Sequence, residues 1–116
     1  MTSLTTPSIG YKPFHYPWAY EAWLQQQRIH WLPEEVPLAD DVKDWQHNLK
    51  ASEKNLLTQI FRFFTQADAS VAENYVHNYL PIFKPTEIIM MLTAFANSES
   101  IHIASYSHLL DTVGMP

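Results

Sequence analysis

The chain has 116 residues, 47% of them hydrophobic, which is enough apolar material for one small domain or for part of a larger one. Its net charge of -5, with Lys plus Arg at 7, excludes the broad basic field that nucleic acid requires. With no cysteine, it has no disulfide framework, no thiolate metal site and no catalytic cysteine. Only 2 glycines occur, which suits helices better than tight-turned sheets and predicts an all-α fold. The N-terminal residues lack the basic and apolar regions of a secretory signal, and no apolar run approaches a membrane span, so a soluble cytoplasmic protein is expected.

Residues 1–16 mix Thr, Ser, Pro, Gly and Tyr without helical period. They read as an extended arm, ordered only where its aromatic residues dock, ahead of a helical region over 17–116. Pro17 suits a first-turn position, and Trp18, Trp23, Leu24 and Ile29 support a helix to about His30. Pro33 and Pro37 break that helix. A short helix over 41–49 comes next, with Asp40 or Asp41 as its cap.

Ser52 can cap the next helix, which runs from Glu53 to about Tyr79 without Gly or Pro and so extends roughly 40 Å at 1.5 Å per residue. Pro81 and Pro85 bracket a short connection, with Pro85 available to the first turn of a last helix that continues to about Val113, where Gly114 and Pro116 stop it. Two long helices with a short connection are expected to pack antiparallel.

Each of these long helices carries ionisable groups on its apolar face. Asp68 shares a face with Phe61, Phe64, Val71, Ala72 and Tyr75, and Glu99 shares one with Leu92, Phe95, Ala96, Ile103 and Tyr106. Glu99 and His102 are three apart, about 60° around a helix, so they can grip one ion. A bare buried carboxylate is costly, and a cation would compensate both carboxylates. Ordinary alternatives exist: His102 as a hydrogen-bonded core histidine, and Asp68 paired with Arg62. Three ligand-type groups on the apolar faces of successive helices favour metal, and carboxylates with one imidazole suit iron or manganese. His15, His30, His47 and His108 have no partner spacing and read as surface groups, while Glu73 and His77 lie about 140° away from Asp68 and read as a surface or interface pair.

Four motifs in order carry a resemblance that covers residues 28–116. They are His30-Trp31-Leu32-Pro33-Glu34-Glu35-Val36, the pair Asp44-Trp45, the run from Phe63 through Asp68 to Asn74, and the run from Ser98 through Glu99, His102 and Tyr106 to His108. Together they resemble the first half of the small, radical-generating subunit of class I ribonucleotide reductase, a ferritin-like helical bundle. The resemblance implies a dinuclear metal centre, iron in first place with manganese or mixed manganese and iron as alternatives. Asp68 and His102 would serve the first metal and Glu99 would bridge toward the second. Tyr106 matches the tyrosine that such proteins oxidise to a radical, and Trp31 the tryptophan that relays it. Without the resemblance, Tyr106 reads as an ordinary buried aromatic and Trp31 equally as a packing anchor before Pro33.

The resemblance also implies two glutamates and a histidine from later helices, supplied by a complementary C-terminal half. Further implied partners are the catalytic large subunit and a dimeric assembly. The activity implied is ribonucleoside-diphosphate reduction. Alternatives are another ferritin-like dimetal protein, an oxidase or iron store, and a non-catalytic helical interaction fragment.

Overall fold

The structure is a computed structural model and describes residues 3–114. Among them no strand occurs. In chain order the elements are α1 (Pro17–Arg28), a 3₁₀ turn (Pro33–Glu35), α2 (Ala39–Lys43), a π turn (Asp44–Asn48), α3 (Ala51–Asn74), a second π turn (Tyr75–Tyr79) and α4 (Thr86–Val113). The all-α class expected from the sequence is what is found. No helix among the described residues is long and apolar enough to cross a membrane.

Several boundaries differ from the expected ones for local reasons. α1 stops at Arg28, short of His30; the amide of Ile29 closes the last turn on Gln25 at 3.1 Å, and Leu32, placed before Pro33, is extended. The expected helix over 41–49 begins earlier, at Ala39, and becomes a π turn after Lys43. Neither Asp40 nor Asp41 caps it: both lie inside the first turn, where their charge favours the helix dipole. Ser52 does not cap α3 either. Lys50 precedes the helix, and its amide donates to Glu53 Oε1 at 2.8 Å, so the carboxylate three residues ahead satisfies the terminal donor. The α-helical part of that segment ends at Asn74, and the amide of Leu80 reaches back five residues to Tyr75 O at 2.9 Å. Pro85 stands just before α4, where its carbonyl accepts from Ile89 at 3.0 Å. Gly114 ends the helix at φ 84°, a conformation that needs glycine; Pro116 lies outside the described residues.

The chain forms two compact units, residues up to 30 with 70–99, and residues 31–69 with those from 100 onward. The core of the first is Ala19 of α1 against Ile88 and Leu92 of α4, bordered by Tyr16, Tyr75, Leu80, Phe83 and Met91. Small Ala19, fully buried, lets the two helices approach closely. Ser98 Oγ donates to Gln26 Oε1 at 2.7 Å and ties the far end of α1 to α4.

The N-terminal arm is held by more than docked aromatics. The amide of Lys84 donates to Leu4 O at 3.0 Å, the amide of Thr86 to Ser8 Oγ at 3.0 Å, and the amides of His15 and Tyr16 to Glu87 Oε2 at 2.8 and 3.2 Å. Glu87 is only 1% exposed. A carboxylate so buried needs donors, and the returning arm supplies two of them at the N-terminal end of a helix, where negative charge is favoured.

In the second unit, the rings of Phe61 and Phe64 from α3 both meet Tyr106 of α4, while Asp68, farther along α3, is near His102, one turn earlier on α4. The two segments therefore run antiparallel within this unit. No residue of α3 is buried. Phe64 and Val71, expected on the inward face, are 43% and 41% exposed because nothing among the described residues covers that stretch.

Candidate metal centre

Glu99 and His102 sit on one unbroken turn of α4, and Asp68 on α3 has the same-face position that its apolar neighbours define. All three are half-buried, and each offers one donor atom within 4.8 Å of the others. That spacing suits two carboxylate oxygens and an imidazole nitrogen around a cation, since donors about 2 Å from a metal lie roughly 3–4 Å apart. Two carboxylates this close repel each other unless positive charge or a proton intervenes. The donor chemistry fits iron or manganese, and three donors leave further coordination positions open.

Tyr106 follows His102 by four residues and so keeps to the same face of α4. Its ring lies nearly parallel to that of Phe64, with centroids 5.9 Å apart and an interplanar angle of 11°, and Phe61 meets it at 6.4 Å. Trp31 comes from the segment before the 3₁₀ turn. Its indole lies 6.4 Å from the His102 ring at 31°. Pro33 starts that turn and the Glu35 carboxylate accepts from the amide of Leu32, which fixes the chain just after Trp31.

These residues line one cavity of about 500 Å³, with Asp68, His102 and Tyr106 on one side and Trp31, Val36 and Leu38 on another. Its walls are mainly apolar, so a polar group inside has few waters to compete with. Sequence spacing finds Asp68, Glu99, His102 and Tyr106. It does not find the Trp31–His102 contact, which depends on how Pro33 turns the chain, nor the contribution of Val36 and Leu38, whose signal is only their place after that proline. The remaining histidines, His15, His30, His47, His77 and His108, are all exposed, and so is Glu73.

A family profile described as the small chain of ribonucleotide reductase matches residues 8–116. The chain belongs to the ribonucleotide reductase small-chain family. Among its relatives, the probable ribonucleoside-diphosphate reductase small subunit of Invertebrate iridescent virus 6 is 52% identical over 106 residues, 91% of this chain and 29% of that protein. The ribonucleoside-diphosphate reductase subunit beta of Treponema pallidum is 33% identical over 112 residues, 97% of this chain and 31% of the relative. A ribonucleoside-diphosphate reductase small subunit of Arabidopsis thaliana is 31% identical over 100 residues, 86% of this chain and 30% of the relative. The chain thus spans less than a third of the length of each of these small subunits, and its all-helical fold is consistent with part of a ferritin-like bundle.

Proposed function

We propose that this chain supplies one half of a dinuclear metal site, together with the tyrosine and tryptophan that use it, in a ribonucleoside-diphosphate reductase small subunit. The observation that carries the reading is the convergence of Asp68, Glu99 and His102, in a chain of this family, with the rings of Tyr106 and Trp31 lining the same cavity. Asp68 and His102 would hold the first metal, with Glu99 reaching toward the second. Iron is the first expectation, with manganese or a mixed pair as alternatives. When bound, the dinuclear centre supplies oxidising equivalents drawn from dioxygen.

The protein residues then have distinct tasks. Tyr106 is the group to be oxidised, giving up one electron and its phenolic proton. Phe61 and Phe64 flank its ring with apolar surface that keeps water and soluble reductants away. Trp31, against the His102 ring, offers an aromatic step between the metal ligand and a second protein surface. The nucleotide is reduced on a separate catalytic large subunit, and the remaining metal ligands come from a complementary C-terminal half in a dimeric assembly.

The test is reconstitution of this chain with a complementary segment carrying the later helices, followed by metal analysis and electron paramagnetic resonance. Glu99→Ala and His102→Ala should each lose tight binding of at least one metal while helix content is retained, because coordination energy has no substitute nearby. Tyr106→Phe should keep both metals and abolish any tyrosyl signal. Trp31→Phe should keep metals and signal but suppress nucleotide reduction with the large subunit. Unchanged metal content in both ligand variants overturns the site. Two bound metals that never yield an oxidant with any metal tried would move the assignment to an iron store.

A further inference from the structure

The N-terminal arm contains a second constellation, independent of the metal centre. Lys12 Nζ lies 4.0 Å from the ring centroid of Phe14 and 5.8 Å from those of Tyr11 and Tyr20. The rings support one another: Tyr11 meets Phe14 edge-on at 5.2 Å, Phe14 stacks on Tyr20 at 5.0 Å, and Tyr20 stacks on Trp23 at 5.7 Å. Tyr11 and Phe14 belong to the arm, whereas Tyr20 and Trp23 belong to α1. A single ammonium therefore touches aromatic faces on both sides of the joint between arm and helix. The negative faces of the rings attract it in a way that a neutral side chain cannot reproduce.

The next residues along the chain make this contact consequential. His15 and Tyr16 give their amides to the buried Glu87 carboxylate, and Tyr16 borders the core of Ala19, Ile88 and Leu92. A buried carboxylate cannot cheaply lose one donor and stay dry, so the arm turn must stay seated or lift as a whole and let water reach Glu87. Lys12 stands three residues before that turn.

We propose that Lys12 is a charge latch: its ammonium, seated on Tyr11, Phe14 and Tyr20, clasps the arm to α1 and over Glu87, and loss of that charge shifts the arm toward an open state. Lys12 is exposed, so its amine is accessible to acyl-transfer chemistry. In such a step the amine nitrogen displaces a thiol from an acyl thioester, an amide forms at Nζ, and a proton leaves to water. Methylation, which keeps the charge, would leave the latch closed.

Hydrogen exchange on the full chain, read by mass spectrometry, tests this. In Lys12→Gln the amides of His15 and Tyr16 should exchange about two- to five-fold faster, the range expected for losing one partly exposed cation–π contact. Amides of Ile88 to Leu92 in α4 should not change. Lys12→Arg should behave as the unaltered chain, and Phe14→Leu, which removes the nearest ring and keeps the ammonium, should match Lys12→Gln. Equal exchange in Lys12→Gln and the unaltered chain overturns the latch, as does Lys12→Arg exchanging as fast as Lys12→Gln. Uniform acceleration that includes α4 overturns it too, since Lys12 would then act on the stability of the whole unit.

Discussion

Phe63 is the most exposed of the large apolar residues on α3, at 68%, and Leu56 and Ile60 on the same stripe are 60% and 37% exposed. It is five residues before Asp68, about 140° around the helix, so truncating it leaves the metal-ligand face alone. Full burial of a phenylalanine side chain is worth about 1.5–3 kcal/mol. Two-thirds of it is still open here, so a covering surface would gain about 1–2 kcal/mol from this residue. If two copies of the isolated chain cover each other through a two-fold interface, the residue counts twice, about 2–4 kcal/mol in all, or roughly 30- to 1000-fold in the dissociation constant. Phe63→Ala should weaken self-association of the isolated chain by that factor in sedimentation equilibrium, with helix content unchanged by circular dichroism. A wild-type chain that sediments as a compact monomer, with sharp cooperative unfolding, would refute the reasoning, because the open stripe on α3 would then have no need of cover. So would association unaffected by Phe63→Ala.

Glu87→Gln should destabilise the first unit by about 1–3 kcal/mol, since two hydrogen bonds to a charged acceptor become bonds to a neutral one. The loss should appear as a lower urea midpoint with or without metal. Glu99→Gln should have the opposite dependence, costing no stability without metal, where it relieves repulsion from Asp68, and reducing stabilisation by added divalent metal; equal responses in the two variants would show that both glutamates are structural. The Tyr75 hydroxyl is pushed above its ordinary value of 10.0 by burial first, then by the carboxylate of Glu99 and by Tyr79. The native state therefore releases this proton later than the unfolded chain, so the contribution is complete below about pH 10 and is lost as pH rises through the higher native value. The difference in urea midpoint between the unaltered chain and Tyr75→Phe should change in that direction between about pH 9 and about pH 11, and a pH-independent difference would refute the assignment.

Features that depend on one helix at a time were legible in the sequence. Spacing alone put Glu99, His102 and Tyr106 on one face of α4, and the interruption of an apolar stripe marked Asp68 on α3. The Trp31 indole beside His102 was not legible, because it depends on a turn at Pro33 whose direction no periodicity encodes. The π turns at 44–48 and 75–79 were missed for a related reason: a π turn differs from an α turn by one carbonyl step in the hydrogen bond, and the side-chain pattern does not announce it.

Glu87 and Glu99 show why burial of a carboxylate cannot be interpreted from sequence. They stand twelve residues apart on the same helix, and each comes directly after a polar residue, Thr86 or Ser98. Glu87 reads as an ordinary first-turn acid, yet it is the more deeply buried of the two. Its charge is met by amides contributed from more than seventy residues earlier, a long-range return of the chain that local pattern cannot foresee. The environment of Glu99 is opposite in kind, since the nearby Asp68 is another carboxylate and the nearby His102 is an imidazole with metal-ligand chemistry. Donor amides suffice to keep a carboxylate buried at Glu87, whereas a second carboxylate within ligand distance adds repulsion that only a cation or a proton offsets. Burial alone would therefore favour Glu87 as the special carboxylate; the sign of the neighbouring groups favours Glu99 as the proposed metal ligand.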